Sequence, residues 1–166
     1  MSMRRRAALI SLVFIAATLP RAAAAQAPSL GGTWKLNAEK SKYEPAELGN
    51  TSGIVTYAFD GNNVSATIDQ VNAKGQKIHI EYRATLDGAD HPWKGTIDGK
   101  PNETQDAVSF RQLNANTYHV ENKLKGKVVT INHIVVADDG KTRTSTTTGT
   151  NAAGQKIHNV VVYDRQ

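Results

Sequence analysis

Cysteine is absent from the sequence of 166 residues. This absence excludes disulfide bonds, a lipid-modified cysteine, a cysteine nucleophile and cysteine-ligated zinc or iron–sulfur sites. The fold must therefore be stabilised by its core alone. A domain of this size buries about 68% of the surface that its unfolded chain exposes, which is enough to fold without covalent crosslinks.

Long hydrophobic runs are also absent, apart from one near the amino terminus. The run Ala7–Leu19 follows three arginines, Arg4–Arg6, and precedes the small residues Ala22–Ala25. Crossing a bilayer takes about 20 residues, whereas a basic start, a short apolar run and a small-residue end are typical of a secretory signal peptide. We therefore predict a signal peptide over residues 1–25, with a retained membrane anchor as the alternative.

An excess of one charge sign is missing from the rest of the chain. Residues 1–25 hold four of the 20 basic residues and none of the 15 acidic ones, which leaves 16 basic against 15 acidic residues, a net charge of +1. Nucleic-acid binding needs a basic patch, so we expect no nucleic-acid partner. After cleavage following Ala25 or Ala27, we expect one monomeric domain over residues 26–166, periplasmic or secreted and without a stable membrane anchor.

One phrase of eight residues occurs twice in the chain. N-A-K-G-Q-K-I-H, Asn72–His79, returns as N-A-A-G-Q-K-I-H, Asn151–His158, and an Asp-Gly pair precedes each copy at the same distance. Asp-Gly and Asn-Ala-x-Gly are turn sequences, because glycine adopts positive φ at little cost. We interpret the phrase as a turn between antiparallel strands that is used in two similar meanders.

Alternating apolar residues predict the strands and, in one hairpin, the register. A two-residue turn at Gly61-Asn62 brings every apolar side chain of the hairpin to one face. The paired residues would be Phe59 with Val64, Tyr57 with Ala66, and Val55 with Ile68.

About nine strands follow one another in this way, with little helix. A sheet of so many sequential strands exposes its edges unless it closes. We therefore predict an all-β fold, an antiparallel up-and-down meander closed into a small β-barrel, with a sandwich as the alternative.

The two ends of the chain carry a family resemblance. The segment G-T-W-K-L, Gly32–Leu36, resembles the first motif of lipocalins and the opening of fatty-acid-binding proteins, and Val160–Arg165 is similar to the last strand of the latter. The layout resembles small exported lipocalin-like proteins of bacteria, in the calycin group of barrels. The resemblance implies a barrel with an interior and gives Trp34 the role of plugging its closed end, with direct ligand contact as the alternative.

The chain departs from fatty-acid-binding proteins in two places. Those proteins hold a ligand carboxylate with an Arg-x-Tyr pair in the last strand; here Tyr163 matches the tyrosine, but the arginine position is Val161, so this clamp is missing. They also insert two helices after the first strand, whereas the segment Ala38–Gly53 is short and contains Pro45. The resemblance therefore implies a barrel and an interior, not a fatty acid.

Inward-facing aromatic residues and one histidine form the predicted ligand-binding set. Such a lining suits an apolar or amphipathic small molecule, and a filled core with satisfied tyrosine hydroxyls is the alternative. The predicted residues are Tyr57, Phe59, Tyr82, Trp93, Phe110, Tyr118, His133 and Tyr163.

The face that His133 occupies has two interpretations. A two-residue turn at Lys125-Gly126 pairs Tyr118 with His133 and points the imidazole inward. The internal repeat places Ile134 and Val136 inside instead, and a β-bulge would reconcile the two.

Three further segments can be interpreted either as structural elements or as functional sites. Asp87–Gln105, with two prolines and three glycines, is either a portal flap with Trp93 at its edge or a hairpin linker with that indole on the barrel exterior. The threonine-rich Thr142–Thr150 is interpreted as a strand rather than a site. We interpret His79 and His158 as surface residues and predict no metal and no cofactor, because a metal site needs three or four converging donors.

Three function classes follow from these observations. The leading hypothesis is an exported protein that binds a small apolar or amphipathic molecule. A structural or interaction barrel with a filled core is the second. An enzyme with tyrosine and histidine as acid–base groups is the third; because no nucleophile–base spacing supports it, we predict no catalytic residues and no enzyme.

Overall fold

Eleven β-strands and one short 3₁₀ helix, Ala46–Leu48, make up the part of the chain that the computed structural model describes, residues 29–151 and 153–166. The predicted signal peptide and both cleavage positions lie outside the described residues. The strands are β1 (Gly32–Lys42), β2 (Asn50–Asp60), β3 (Asn63–Asn72), β4 (Lys77–Thr85), β5 (Asp87–Ile97), β6 (Lys100–Pro101), β7 (Ala107–Asn114), β8 (Thr117–Leu124), β9 (Lys127–Val136), β10 (Thr142–Thr150) and β11 (Lys156–Arg165).

Ten of these strands close into one antiparallel barrel. They pair in chain order, β5 with both β4 and β7, and β11 closes the ring on β1 with pairs such as Leu36–Tyr163. The two-residue β6 pairs with the end of β5 and is an appendage of the ring. The predicted all-β, up-and-down, calycin-like barrel with little helix is confirmed, with ten strands rather than about nine.

The barrel has a closed end, where β1 begins and β11 ends. Leu30 and Trp34 have no exposed surface there, and the indole Nε1 donates to the Leu30 carbonyl at 2.9 Å. The Arg165 guanidinium lies over the Trp34 ring, 4.1 Å from its centroid, and donates to two carbonyls in residues 29–31 and one in the β9–β10 turn. Trp34 therefore closes this end, held in place by both chain segments that meet there.

The repeated phrase forms the same turn twice at the opposite, open end. Asn72 Oδ1 accepts hydrogen bonds from the N–H groups two and four residues later, both at 3.0 Å, and Asn151 Oδ1 does the same at 3.0 and 2.9 Å. The glycine three residues on, Gly75 or Gly154, has φ of 78° in both copies, a conformation that glycine adopts without strain. The interpretation of the phrase as a repeated turn is confirmed.

The predicted register of the first hairpin is also correct. Phe59 pairs with Val64, Tyr57 with Ala66, and Val55 with Ile68. Their side chains face the core on both strands, as the alternation requires.

A β-bulge decides the face of His133. Asn122 pairs with Thr130, whereas the next residue, Lys123, pairs with Val128, so β9 carries one extra residue at this point. The shift brings Ile134, not His133, opposite Tyr118. His133 is exposed on the outer surface, so its inward placement is wrong, and the interpretation that puts Ile134 and Val136 inside is correct.

The segment Asp87–Gln105 is neither a flap nor a linker. Most of it is β5, whose first half pairs with β7 and whose second half pairs with β4. Pro92 lies at the point where β5 changes its partner from β7 to β4. Because proline has no N–H group, it is tolerated best at such a break in the hydrogen-bond ladder. Trp93 pairs with Tyr82 and is buried in the core, and Gly95 leaves room for its indole.

Candidate ligand-binding site

Aromatic side chains fill the half of the interior next to the closed end, which we call the closed half. The Phe110 ring centroid lies 5.9 Å from that of Tyr118, 6.2 Å from Tyr57 and 6.4 Å from Tyr82. Phe59 continues the cluster, 6.3 Å from Tyr118. Since Phe110 and Tyr118 have no exposed surface, the closed half is a packed core.

A cavity of about 180 Å³ lies in the other half of the interior, the open half. We call it the open-half cavity. Apolar side chains from β2, β3, β4 and β11 line part of it, and a larger number of polar side chains line the rest. Besides three tyrosines and Arg143, the polar lining residues are Asn50, Gln70, Asn132, Ser145, Thr147 and Asn159.

Arg143, on β10, lies at the boundary between the two halves. Only 2% of its surface is exposed, and its guanidinium carbon is 3.9 Å from the ring centroid of Tyr163, 5.5 Å from Tyr57 and 5.6 Å from Trp34. Its Nη1 donates to Ser145 Oγ at 2.7 Å. Among residues 29–151 and 153–166, no carboxylate forms a salt bridge with this guanidinium.

Aromatic faces compensate the buried charge of Arg143 only in part. A cation–π contact contributes about 0.5–2 kcal/mol, whereas removing an ion from water costs several kcal/mol even after relaxation. Buried charges are ordinarily paired with an opposite charge. Arg143 is therefore a buried cation that lines the cavity without an opposite charge from residues 29–151 and 153–166.

Buried polar atoms without a hydrogen-bond partner concentrate at the open-half cavity. Of the four such side-chain atoms found in the described part of the chain, Arg143 Nε, Asn132 Oδ1 and the Tyr43 hydroxyl belong to residues that line it. The fourth, Gln105 Oε1, lies at another cleft. Buried polar groups are satisfied in roughly nine cases of ten, so this concentration indicates a place for a polar molecule.

A chain of hydrogen bonds leads from the rim to the base of the cavity. Asn50 Nδ2 donates to Gln70 Oε1 at 3.1 Å, and Gln70 Nε2 donates to the Tyr163 hydroxyl oxygen at 2.9 Å. The phenol proton of Tyr163 is thereby left free to donate to a bound molecule. Burial raises the pKa of Tyr163 to about 12, so this group is a neutral donor near pH 7.

The eight predicted ligand-binding residues fall into three groups. Tyr57 and Tyr163 line the open-half cavity, and for them ligand contact stays a prediction. His133 is on the outside. The remaining five belong to the packed core or lie against it: Phe59, Tyr82, Trp93, Phe110 and Tyr118.

Sequence reasoning missed Arg143, the most unusual side chain in the interior. The stretch T-R-T-S-T-T-T-G-T alternates without an apolar face, so the pattern does not say which face is inward. The signal lay in the partner strand, because Arg143 stands directly opposite Tyr163 and Ser145 opposite Val161. A correct pairing of the last two strands would have placed Arg143 inside.

Two larger clefts have volumes of about 430 and 610 Å³. The larger one follows a row of outward-facing cross-strand neighbours. They are Lys35, Ile54, Asp69, His79 and Thr96. Neither cleft is lined by a residue with an unpaired buried polar atom, as far as the described residues go.

Metal-binding and membrane-spanning features are not found in the described residues. Within residues 29–151 and 153–166, no three histidine, aspartate or glutamate side chains are grouped as metal ligands would be. No helix in that part of the chain has the length and apolar character needed to cross a membrane.

Comparisons with known proteins give a likeness of shape alone. No protein-family model matches the chain, and no curated protein matches it. Among solved structures, it is similar to zebrafish ileal bile acid-binding protein complexed with cholic acid, with a TM-score of 0.47 and 11% sequence identity over 83% of this chain and 99% of that chain. A likeness at that level carries no functional argument, so the argument must come from the residues of this chain.

Proposed function

We propose that this protein is an exported binding protein for a small amphipathic molecule, whose anionic group pairs with Arg143 in the open-half cavity. The observation that carries the proposal is Arg143 itself, of which only 2% is exposed, which lines a cavity and which has no carboxylate partner in the described residues. Export is proposed on the sequence of residues 1–25 alone.

A carboxylate is the anion that best matches this site. The arginine guanidinium is a planar fork that pairs with the two oxygens of a carboxylate. Nε is unpaired, Nη1 is bonded to Ser145 Oγ, and the Tyr163 proton is free to add a further donor. Arg143 and Tyr163 on paired strands thus offer the two donors that the last strand alone lacks at Val161.

The size of the cavity supports a small ligand. Binding sites for drug-sized molecules measure about 300–1,000 Å³, against about 180 Å³ for the open-half cavity. The aromatic cluster of the closed half packs up to Arg143, since Tyr57 contacts both Phe110 and the guanidinium. The filled-barrel hypothesis therefore describes the closed half, and the binding hypothesis describes the open half.

Acid–base catalysis is less well supported by the same residues. An efficient general acid or base has a pKa near the working pH, whereas burial raises the pKa of Tyr43 and raises that of Tyr163 to about 12. Each of the chain's five histidines lies in the described residues, and none lines the open-half cavity. We therefore propose binding without turnover.

Titration calorimetry with hexanoate and its uncharged analogue hexanamide tests this proposal. We expect the wild-type protein to bind hexanoate at least about tenfold more tightly than hexanamide, since a hydrogen bond to a charged group contributes about 1.5–3 kcal/mol. Arg143→Met should remove this preference, and Arg83→Met, the same change at an exposed position of β4, should keep it. Equal affinities in the wild-type protein, or an unchanged preference in Arg143→Met, would refute the proposal.

A further inference from the structure

The open-half cavity has a second polar region, nearer the open end than Arg143. Asn132 on β9 pairs with Thr147, two residues beyond Ser145 on β10. Ser145 marks the level of the guanidinium, because its Oγ bonds to Arg143 Nη1. A strand rises by about 3.3 Å per residue, so Asn132 stands roughly 7 Å beyond the guanidinium toward the open end.

Unpaired atoms in this second region come from two chain segments. Asn132 Oδ1 and the Tyr43 hydroxyl are buried and lack a hydrogen-bond partner of ordinary geometry. The backbone and amide N–H groups of Asn50 lie close to the Tyr43 oxygen, so the phenol proton is left free to donate. Tyr43 follows the end of β1, at the open rim. Both residues line the same cavity as Arg143, so one bound molecule can reach all three.

Apolar side chains line the same cavity as the two polar regions. Val161 lies opposite Ser145 on β11, and Ile68 pairs with Ile80 across β3 and β4. All three residues line the cavity. The cavity therefore offers an apolar wall beside its two polar regions.

We infer that the ligand is a short carboxylic acid that carries a hydroxyl group at its other end. This inference rests on the proposed function. Its carboxylate pairs with Arg143, its methylene groups lie against Val161 and Ile68, and its hydroxyl meets Asn132 and Tyr43.

A hydroxyl group satisfies both unpaired atoms of the second region at once. It donates its proton to Asn132 Oδ1 and accepts the phenol proton of Tyr43. A plain alkyl end would leave both buried atoms without a partner, and sites built to hydrogen-bond a group reject the analogue that lacks it. An ammonium group would serve the asparagine oxygen but has no lone pair for the phenol proton.

Matched pairs of acids test the inference by calorimetry. The probes are butanoate, pentanoate and hexanoate, each beside its ω-hydroxylated counterpart. For the pair whose length fits the cavity, we expect the wild-type protein to bind the hydroxy acid about tenfold more tightly, as the gain of one well-placed hydrogen bond predicts. Acids too short or too long should show a smaller preference.

Two variants locate the preference at the second region. Tyr43→Phe removes one hydroxyl and keeps the ring, and Asn132→Leu removes the amide. Each should reduce the preference for the hydroxy acid over the plain acid to about twofold or less, because the hydroxyl group loses one of its two partners. Thr148→Val, a change at an exposed position of β10 that does not line the cavity, should keep the preference.

The outcomes separate this inference from the proposed function. If plain and hydroxylated acids bind equally well and both need Arg143, the inference is wrong and the proposed function stands. If the preference persists in both Tyr43→Phe and Asn132→Leu, the inference is also wrong. If neither acid binds the wild-type protein, the proposed function itself fails, and the inference fails with it.

Discussion

The two halves of the barrel interior are built from the same strands, but they differ in the side chains that these strands turn inward. Along β9, the inward residues are Val136 and Ile134 toward the closed end, each 1% exposed, and then Asn132 in the open half. Along β10, the inward residues are Arg143, Ser145 and Thr147. One alternating pattern thus supplies a dry core at one end and a polar cavity at the other.

This division separates stability from binding. The closed half has tightly packed rings and a plug with satisfied hydrogen bonds, which contribute to the free energy of unfolding. The open half, with Arg143 at its boundary, keeps a desolvated charge and unpaired polar atoms, which cost stability and which the proposed function assigns to binding. Substitutions in the two halves should therefore differ in size and, for the arginines, in sign.

The largest expected effect is the loss of a ring from the closed half. Phe110→Ala removes a fully buried ring with three aromatic neighbours and should lower the free energy of unfolding by about 3–5 kcal/mol. Thr147→Val in the open half should change it by less than about 1 kcal/mol. Urea denaturation of both variants measures the contrast, and similar losses would show that the halves are equally important for stability.

The same substitution at Arg165 and at Arg143 should change the free energy of unfolding in opposite directions. Arg165→Met leaves three backbone carbonyls without their donor and should cost about 2–4 kcal/mol. Arg143→Met replaces an unpaired buried charge with an apolar side chain and should leave stability unchanged or raise it by about 1–2 kcal/mol. A comparable loss in Arg143→Met would mean that the three rings around it compensate its charge fully.

Much of the architecture was predictable because local and long-range signals agree. In the β2–β3 hairpin, the Asp-Gly turn and the alternation of Val55, Tyr57 and Phe59 demand the same register, and the structure has it. The repeated Asn-Ala-x-Gly turn gave a second, independent hairpin signal. Agreement of this kind is what makes a closed meander recognisable from sequence.

The errors arose where the strand pattern lacks such agreement. Pro92 and nearby glycines make β5 look like a loop in the sequence. Its two halves pair with different strands, and the proline lies where the partner strand changes. The bulge on β9 adds one residue and reverses the face of His133, which no local turn signal reveals. On β10 both faces are polar, so Arg143 could be placed only through its partner strand.

High pH should lower the free energy of unfolding, because the buried phenol of Tyr163 loses its proton. Burial raises the pKa of Tyr163 from 10.0 to about 12, so the neutral form is favoured in the folded state. Its contribution is therefore complete below pH 10 and is lost as the pH rises through about 12. The difference between the pKa values of the unfolded and folded states corresponds to about 3 kcal/mol.

Urea denaturation across this range in wild type and Tyr163→Phe measures the contribution of Tyr163. The variant should lose less stability between pH 10 and 12, after a constant offset from the hydrogen bond to Gln70. Parallel curves would contradict the burial of this hydroxyl. Below pH 10 the phenol of Tyr163 is neutral in both the folded and the unfolded state, so it should not make the free energy of unfolding depend on pH. For the same reason, its titration should not change ligand affinity at Arg143 in that range.

The smallest expected effect concerns the twin turns at the open rim. Asn72→Ala and Asn151→Ala each remove a side chain whose oxygen accepts two backbone N–H bonds and whose amide donates to a glutamine. Each substitution should cost about 1 kcal/mol, the usual net contribution of such local hydrogen bonds, and the two costs should agree because the geometry is the same. Since neither asparagine lines the open-half cavity, hexanoate affinity should stay at the wild-type value in both variants. A loss of affinity with little loss of stability would instead show that these turns hold the cavity open, and would assign the rim of the open half to the binding site.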